Sequence, residues 1–142
     1  MKKVLIVNAD YYKDISKRLL LSAKNTLKKN KISCKIINVP GVFEIPFILR
    51  KYINRFDAFV VLGCVIKGKT QHFELISKST FHAIIKISIN FNKPITNGII
   101  TCFNMKQAIE RSSINKQFNK TNKGQEAAKA VVALLKNEPK NS

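Results

Sequence analysis

A chain of 142 residues can bury one core but not two independent ones, so a single domain over residues 1–142 is expected. With 45% hydrophobic residues and no apolar run near the roughly 20 residues that cross a bilayer, a soluble protein without a membrane partner is expected. A net charge of +18 raises binding to nucleic acid or an anionic surface, but the 26 basic residues are scattered, with no dense basic block or interleaved aromatics, and no nucleic-acid partner is expected.

Met1-Lys2-Lys3-Val4-Leu5-Ile6-Val7 begins like a signal peptide, yet its apolar stretch stops at Asn8 and Asp10 without a small-residue cleavage pattern. It reads as a strand from Lys3 to Asn8. Ile15, Leu19, Ala23 and Leu27 then recur every four residues, the buried stripe of a helix beginning near Asp14. Lys28 to Lys31 end it with charge suited to a helix C-terminus. Ser33 to Val39 is a second strand, followed by a short helix from Glu44 or Ile45 to about Asn54 that tolerates Pro46 in its first turn.

Ala58 to Val65 forms a third strand, His72 to about Asn90 a long helix, and Ile95 to Thr101 a fourth strand. Asn104 can cap a helix carrying Gln107, Ala108 and Arg111. A polar connection, Ser112 to Thr121, precedes a last helix from about Asn122 through Ala127, Val131 and Leu135. β-branched strands alternating with helices specify a parallel sheet with right-handed crossovers and helices on both faces, an α/β fold. Ligands gather at the carboxyl ends of such strands, which directs attention to residues 9–12, 39–44, 64–72 and 101–104.

Cys34, Cys64 and Cys102 are an odd number with no C-x-x-C pair, and two lie in strand-like runs, so reduced thiols in a cytoplasm are expected. In Val39-Pro40-Gly41-Val42-Phe43-Glu44-Ile45-Pro46 a strand ends, two prolines stiffen the chain and Gly41 allows close backbone approach. Glu44 there can either accept hydrogen bonds from sugar hydroxyls or simply sit well near a helix N-terminus. Gly63-Cys64-Val65-Ile66-Lys67-Gly68-Lys69-Thr70 fits the P-loop pattern letter for letter. However, Cys64, Val65 and Ile66 look like continuing strand, and no later strand ends in an acid suited to magnesium.

His72 falls at the start of the long helix. The positive helix end favours an uncharged imidazole able to accept a proton, and neighbouring amides can hold an anion, so a base and a phosphate site become neighbours. His82 points about 80° away at about 100° per residue and reads as a packing or surface residue. With no cysteine near either histidine, no metal site is expected, and no Ser-His-Asp arrangement occupies the strand ends.

Read together, V-P-G-V-F-E-I-P, G-C-V-I-K-G-K-T-Q-H-F-E, N-G-I-I-T, Q-A-I-E-R and N-K-G-Q-E-A-A resemble the lumazine synthase family in that family's order, over nearly the whole chain. The resemblance implies a three-layer flavodoxin-like sandwich with a four-stranded parallel sheet flanked by helices. It implies a transferase of riboflavin biosynthesis, without metal or redox cofactor, that condenses 5-amino-6-(D-ribitylamino)uracil with 3,4-dihydroxy-2-butanone 4-phosphate. The sites are expected between subunits of a homopentamer or a multiple of pentamers, with riboflavin synthase as a further partner.

By matching positions, Tyr11 stacks on the pyrimidine, Val42, Phe43 and Glu44 bind the ribityl chain, and backbone groups of Cys64, Val65 and Ile66 hold the ring edge. Lys69 and Thr70 take the butanone phosphate, and His72 transfers protons. The adjacent subunit supplies Asn97 to the uracil and Arg111, whose planar fork suits phosphate oxygens, with Lys123 as a further basic position. Tyr11 stands where many members have Phe or Trp, Asn97 where many have an aromatic, Lys69 where many have Glu, and Glu74 where many have Asp. The connection between Arg111 and Lys123 looks longer than in shell-forming members, which favours an isolated pentamer or a pair of pentamers.

Overall fold

Every strand of the computed structural model, which describes residues 1–68, 72–114 and 122–140, is parallel to its neighbours. Strands β1 (Lys3–Ala9), β2 (Ser33–Val39), β3 (Ala58–Ile66) and β4 (Ile95–Cys102) form a sheet of order β2-β1-β3-β4. Three of them run at least one residue beyond the end read from the sequence, to Ala9, Ile66 and Cys102.

The period-2 alternation of strand side chains builds two separate cores. Val4, Ile6, Val60, Leu62 and Ile100 face one side, where α1 (Lys13–Lys29) and α5 (Lys123–Lys136) cover them through Leu19, Ala23, Ala128 and Val131. Leu5, Val7, Phe59, Val61 and Ile99 face the other, under α2 (Ile45–Tyr52) and α3 (His72–Phe91). The short α4 (Met105–Ser112) adds Ala108 to the first side. The result is the expected three-layer α/β sandwich. Burying one Leu, Ile or Phe side chain contributes about 1.5–3 kcal/mol, so the central strand β3, buried from Ala58 to Cys64, anchors both layers.

The helix ends follow their sequence signals. Asn104 caps α4 by accepting from the Gln107 amide (2.9 Å), while Gln107 Oε1 accepts from the Phe103 amide (2.7 Å). Pro46 occupies the first turn of α2, which is preceded by a 3-10 turn, Val42–Glu44. Asn122 caps α5 through the amides of Gly124 (2.8 Å) and Gln125 (3.1 Å), and its Nδ2 donates to the Ser112 carbonyl (2.8 Å), tying α5 to the end of α4. Gly124 lets α5 cross the backbone of α1, since a Cβ there would strike the Leu19 carbonyl. Of the polar connection read at Ser112 to Thr121, residues 115–121 lie outside the described residues.

Candidate active site

The chain leaves β1 toward β2 on one side and later crosses to β3 and β4 on the other, so the order reverses between β1 and β3. Loops diverge at such a switch point and leave a crevice beyond the carboxyl ends of the strands. A cleft of about 620 Å³ occupies that place, lined by Tyr11 and Tyr12 after β1, Gly41 to Glu44 after β2, Cys64 to Ile66 at the end of β3, and His72 and Ile76 at the start of α3.

β3 is built to project into this cleft. Its last pair with β1 is Asn8 with Leu62, whereas its pairing with β4 continues through Gly63, Cys64 and Val65 to Ile66 opposite Cys102. Over this overhang one backbone edge is held by β4 and the other is turned to the cleft, which suits it to read the hydrogen-bonding edge of a flat heterocycle. The same pairing decides the P-loop question. Three of the four positions between the two glycines are regular strand, so the backbone does not form a phosphate-wrapping turn there.

The wall opposite is the 3-10 turn. Val42 packs into the core at 7% exposure, while Phe43 stands 65% exposed at the cleft and Glu44 lies between these extremes. Gly63 permits this packing, because a Cβ on it would come within 2.7 Å of Val42 Cγ1 and 3.1 Å of Ala9 Cβ. Gly41 has extended backbone (φ −152°), and a Cβ there would meet only Glu44 Oε1 at 3.4 Å, an ordinary van der Waals contact. Glu44 precedes α2 without capping it by a side-chain hydrogen bond, so its carboxylate is not committed to the helix end.

The floor is apolar and uncharged. Burial, reinforced by the neighbouring Cys102, pushes the Cys64 thiol up to about 12, and burial also raises Cys102. Both thiols stay protonated at neutral pH, as does Cys34, which burial likewise raises. All three cysteines are free. Burial raises the Tyr12 phenol too, with smaller contributions from Cys64, Tyr11 and Cys102.

Eight of the site residues read from the sequence, Tyr11, Val42, Phe43, Glu44, Cys64, Val65, Ile66 and His72, meet in this one cleft. Lys69 and Thr70 lie outside the described residues. Asn97, Arg111 and Lys123 do not line the cleft of their own chain. Asn97 sits on the outer strand β4, where its Oδ1 accepts from the Ile99 amide (2.9 Å). Arg111 on α4 is tied to the end of β4 by donating from Nη1 to the Thr101 carbonyl (2.9 Å), and Lys123 begins α5 beside Glu126 (3.7 Å).

Two lining residues escaped the sequence reading. Ile76 follows His72 by one helical turn, a spacing that places both on one face. Tyr12 adjoins Tyr11 in the loop after β1, inside the window of residues 9–12 at the strand end. His82 is exposed on α3 and takes no part in the cleft.

A family model described as 6,7-dimethyl-8-ribityllumazine synthase matches residues 1–138. Proteins bearing that name are similar along most of their length. The one from Methylorubrum populi is 36% identical over 140 residues, covering 94% of this chain and 80% of that protein. The one from Bartonella bacilliformis is 40% identical over 136 residues, covering 93% and 87%. The one from Campylobacter jejuni subsp. doylei is 37% identical over 138 residues, covering 94% and 87%.

Proposed function

The chain belongs to the 6,7-dimethyl-8-ribityllumazine synthase family, and from this membership and the cleft we propose how its residues divide the work. The reaction is the condensation of 5-amino-6-(D-ribitylamino)uracil with 3,4-dihydroxy-2-butanone 4-phosphate to 6,7-dimethyl-8-ribityllumazine, the penultimate step of riboflavin biosynthesis, a transferase activity.

The aminouracil lies between the exposed Tyr11 ring and the β3 overhang. Backbone groups of Cys64, Val65 and Ile66 pair with the ring edge. Val42 and Phe43 wall the ribityl chain while Glu44 accepts hydrogen bonds from its hydroxyls. The butanone phosphate binds near Lys69, Thr70 and the α3 amino end, where positive helix-end charge favours an anion. His72 moves protons as the 5-amino group condenses with the ketone, phosphate leaves, and the ring closes with loss of water. Orienting two reactants in one cleft is itself worth roughly 7–11 kcal/mol in favourable systems, so a single imidazole suffices beside it.

Asn97 and Arg111, absent from the cleft of their own chain, act in the cleft of a neighbouring protomer, with Lys123 as a further basic contact. Arg111 grips the phosphate. The working unit is then a cytoplasmic homopentamer or a multiple of pentamers, each protomer one domain over residues 1–142, and its product passes to riboflavin synthase. The observation that carries this reading is the convergence of the eight residues expected from the family resemblance, drawn from four separate segments of the chain, on the β1/β3 switch-point cleft. The test is to mix purified protein with both substrates, without added metal. Appearance of the absorbing, fluorescent lumazine is expected, and its absence would defeat the reading.

A further inference from the structure

We propose that Tyr12 is a positioning residue of the aminouracil subsite, holding Tyr11 as a flat platform for the pyrimidine ring. This rests on the lumazine synthase reading above.

Tyr11 is 69% exposed, so most of its surface is free of protein contact and little fixes its ring plane apart from an aromatic neighbour. That neighbour is Tyr12, whose ring centroid lies 4.9 Å away at an interplanar angle of 46°. Tyr12 is itself well held. Its carbonyl accepts the first bond of α1 from the Ser16 amide (2.9 Å), its side chain makes no capping bond, and its ring packs half-buried against the core between the sheet and α1. It therefore transmits the rigidity of that core to a ring that has little of its own.

Tyr12 also stands as a wall. It lines both the 620 Å³ cleft and a separate cavity of about 390 Å³ between the start of α1 and α4, whose other side includes Arg18 and Ile109. Removing the ring would leave Tyr11 without its aromatic neighbour and open space behind it. The phenol, raised by burial, stays a neutral hydroxyl across the working pH range. The role is accordingly one of shape and aromatic contact, which phenylalanine can fill and an aliphatic residue cannot.

The experiment is steady-state kinetics on wild type, Tyr12→Phe, Tyr12→Leu and Tyr12→Ala, with each substrate varied in turn and thermal unfolding run alongside. Tyr12→Phe is expected to keep the KM for the aminouracil within about twofold of wild type. Leu and Ala are expected to raise it about 2- to 12-fold, equivalent to ~0.5–1.5 kcal/mol for an aromatic pair. The KM for the ketone phosphate should stay put in all three. Equal rises in both KM values, a Phe variant as impaired as Leu, or no change in any variant would each overturn the proposal. If Ala fails to fold, the contrast between Phe and Leu decides alone. A wild type that forms no lumazine would instead overturn the functional reading, which the same assay registers before any variant is compared.

Discussion

Replacing Gly63 with alanine tests whether the cleft wall depends on close packing beneath it. The new Cβ would lie 2.7 Å from Val42 Cγ1 and 3.1 Å from Ala9 Cβ. Carbon atoms rest about 3.5–4.0 Å apart, so the contact with Val42 is short by about 1 Å. Ala9 is fixed in β1, and the branched side chain of Val42 has little rotamer freedom, so the 3-10 turn must give way. Overpacking of this kind costs about 1–3 kcal/mol, which at ~2–4 °C per kcal/mol for a protein slightly larger than this one lowers Tm by roughly 2–12 °C. A shift near 1 Å carries Phe43 and Glu44 with it, and misplacement on that scale costs about 100-fold in rate. Thermal unfolding and lumazine formation by the folded variant, measured below its Tm, separate the two effects. Gly68→Ala, which meets nothing within 4 Å, serves as the control for unfolding. Wild-type kcat/KM and Tm in Gly63→Ala would refute the reasoning.

Asn122→Ala removes two capping bonds and orphans the Ser112 carbonyl, and urea unfolding should register a loss of about 2–4 kcal/mol. Asn122→Asp, which keeps the acceptor and loses the donor, should fall between it and wild type; equal stability of all three would show that the α4–α5 tie contributes nothing. His72→Ala should lower kcat about 10²- to 10⁴-fold while retaining measurable turnover, and Arg111→Ala should mainly raise the KM for the ketone phosphate. Full activity in both would contradict their assigned roles. Because the folded state holds the Cys64 proton up to about 12, against 9.0 ordinarily, its stabilising difference is complete below pH 9 and is lost as pH rises through 12. Denaturant titrations at several alkaline pH values should therefore show Cys64→Ala losing stability less steeply than wild type above pH 9, and parallel curves would contradict this.

Much of the fold was legible because a strand buried on both faces must be apolar throughout. Ala58 to Val65, rich in β-branched residues, read as such a strand, whereas its projection past β1 is a matter of register that only the pairing shows. Asn104 and Asn122 announced two helix starts because few residue types can satisfy the free amides there. Periodicity spoke less clearly for α3, where Thr80 and Ile84 are buried but Leu75, Ile85 and Ile89 are exposed, so an apolar position there did not mark the core. The 3-10 turn before α2 was also unread, since its three residues carry no repeat long enough to give a period. In the site, strand-end positions pointed to the cleft by topology, whereas Tyr12 shares its residue type with the adjacent Tyr11 and nothing in the sequence separates their roles. The P-loop pattern is matched only as a string of letters, and the reading of Cys64 to Ile66 as continuing strand agrees with pairing through Ile66.

The proposed cleft, opened by one protomer and completed by the next, is tested most directly by protomer mixing. His72→Ala and Arg111→Ala variants are dissociated, combined and reassembled, and assayed at a ketone-phosphate concentration well below the raised KM of Arg111→Ala, where each variant alone is slow. Shared sites predict lumazine formation well above the mean of the two parents, because some clefts then pair an intact His72 with an intact Arg111 from a neighbour. Activity equal to that mean in a verified mixed assembly would contradict the account.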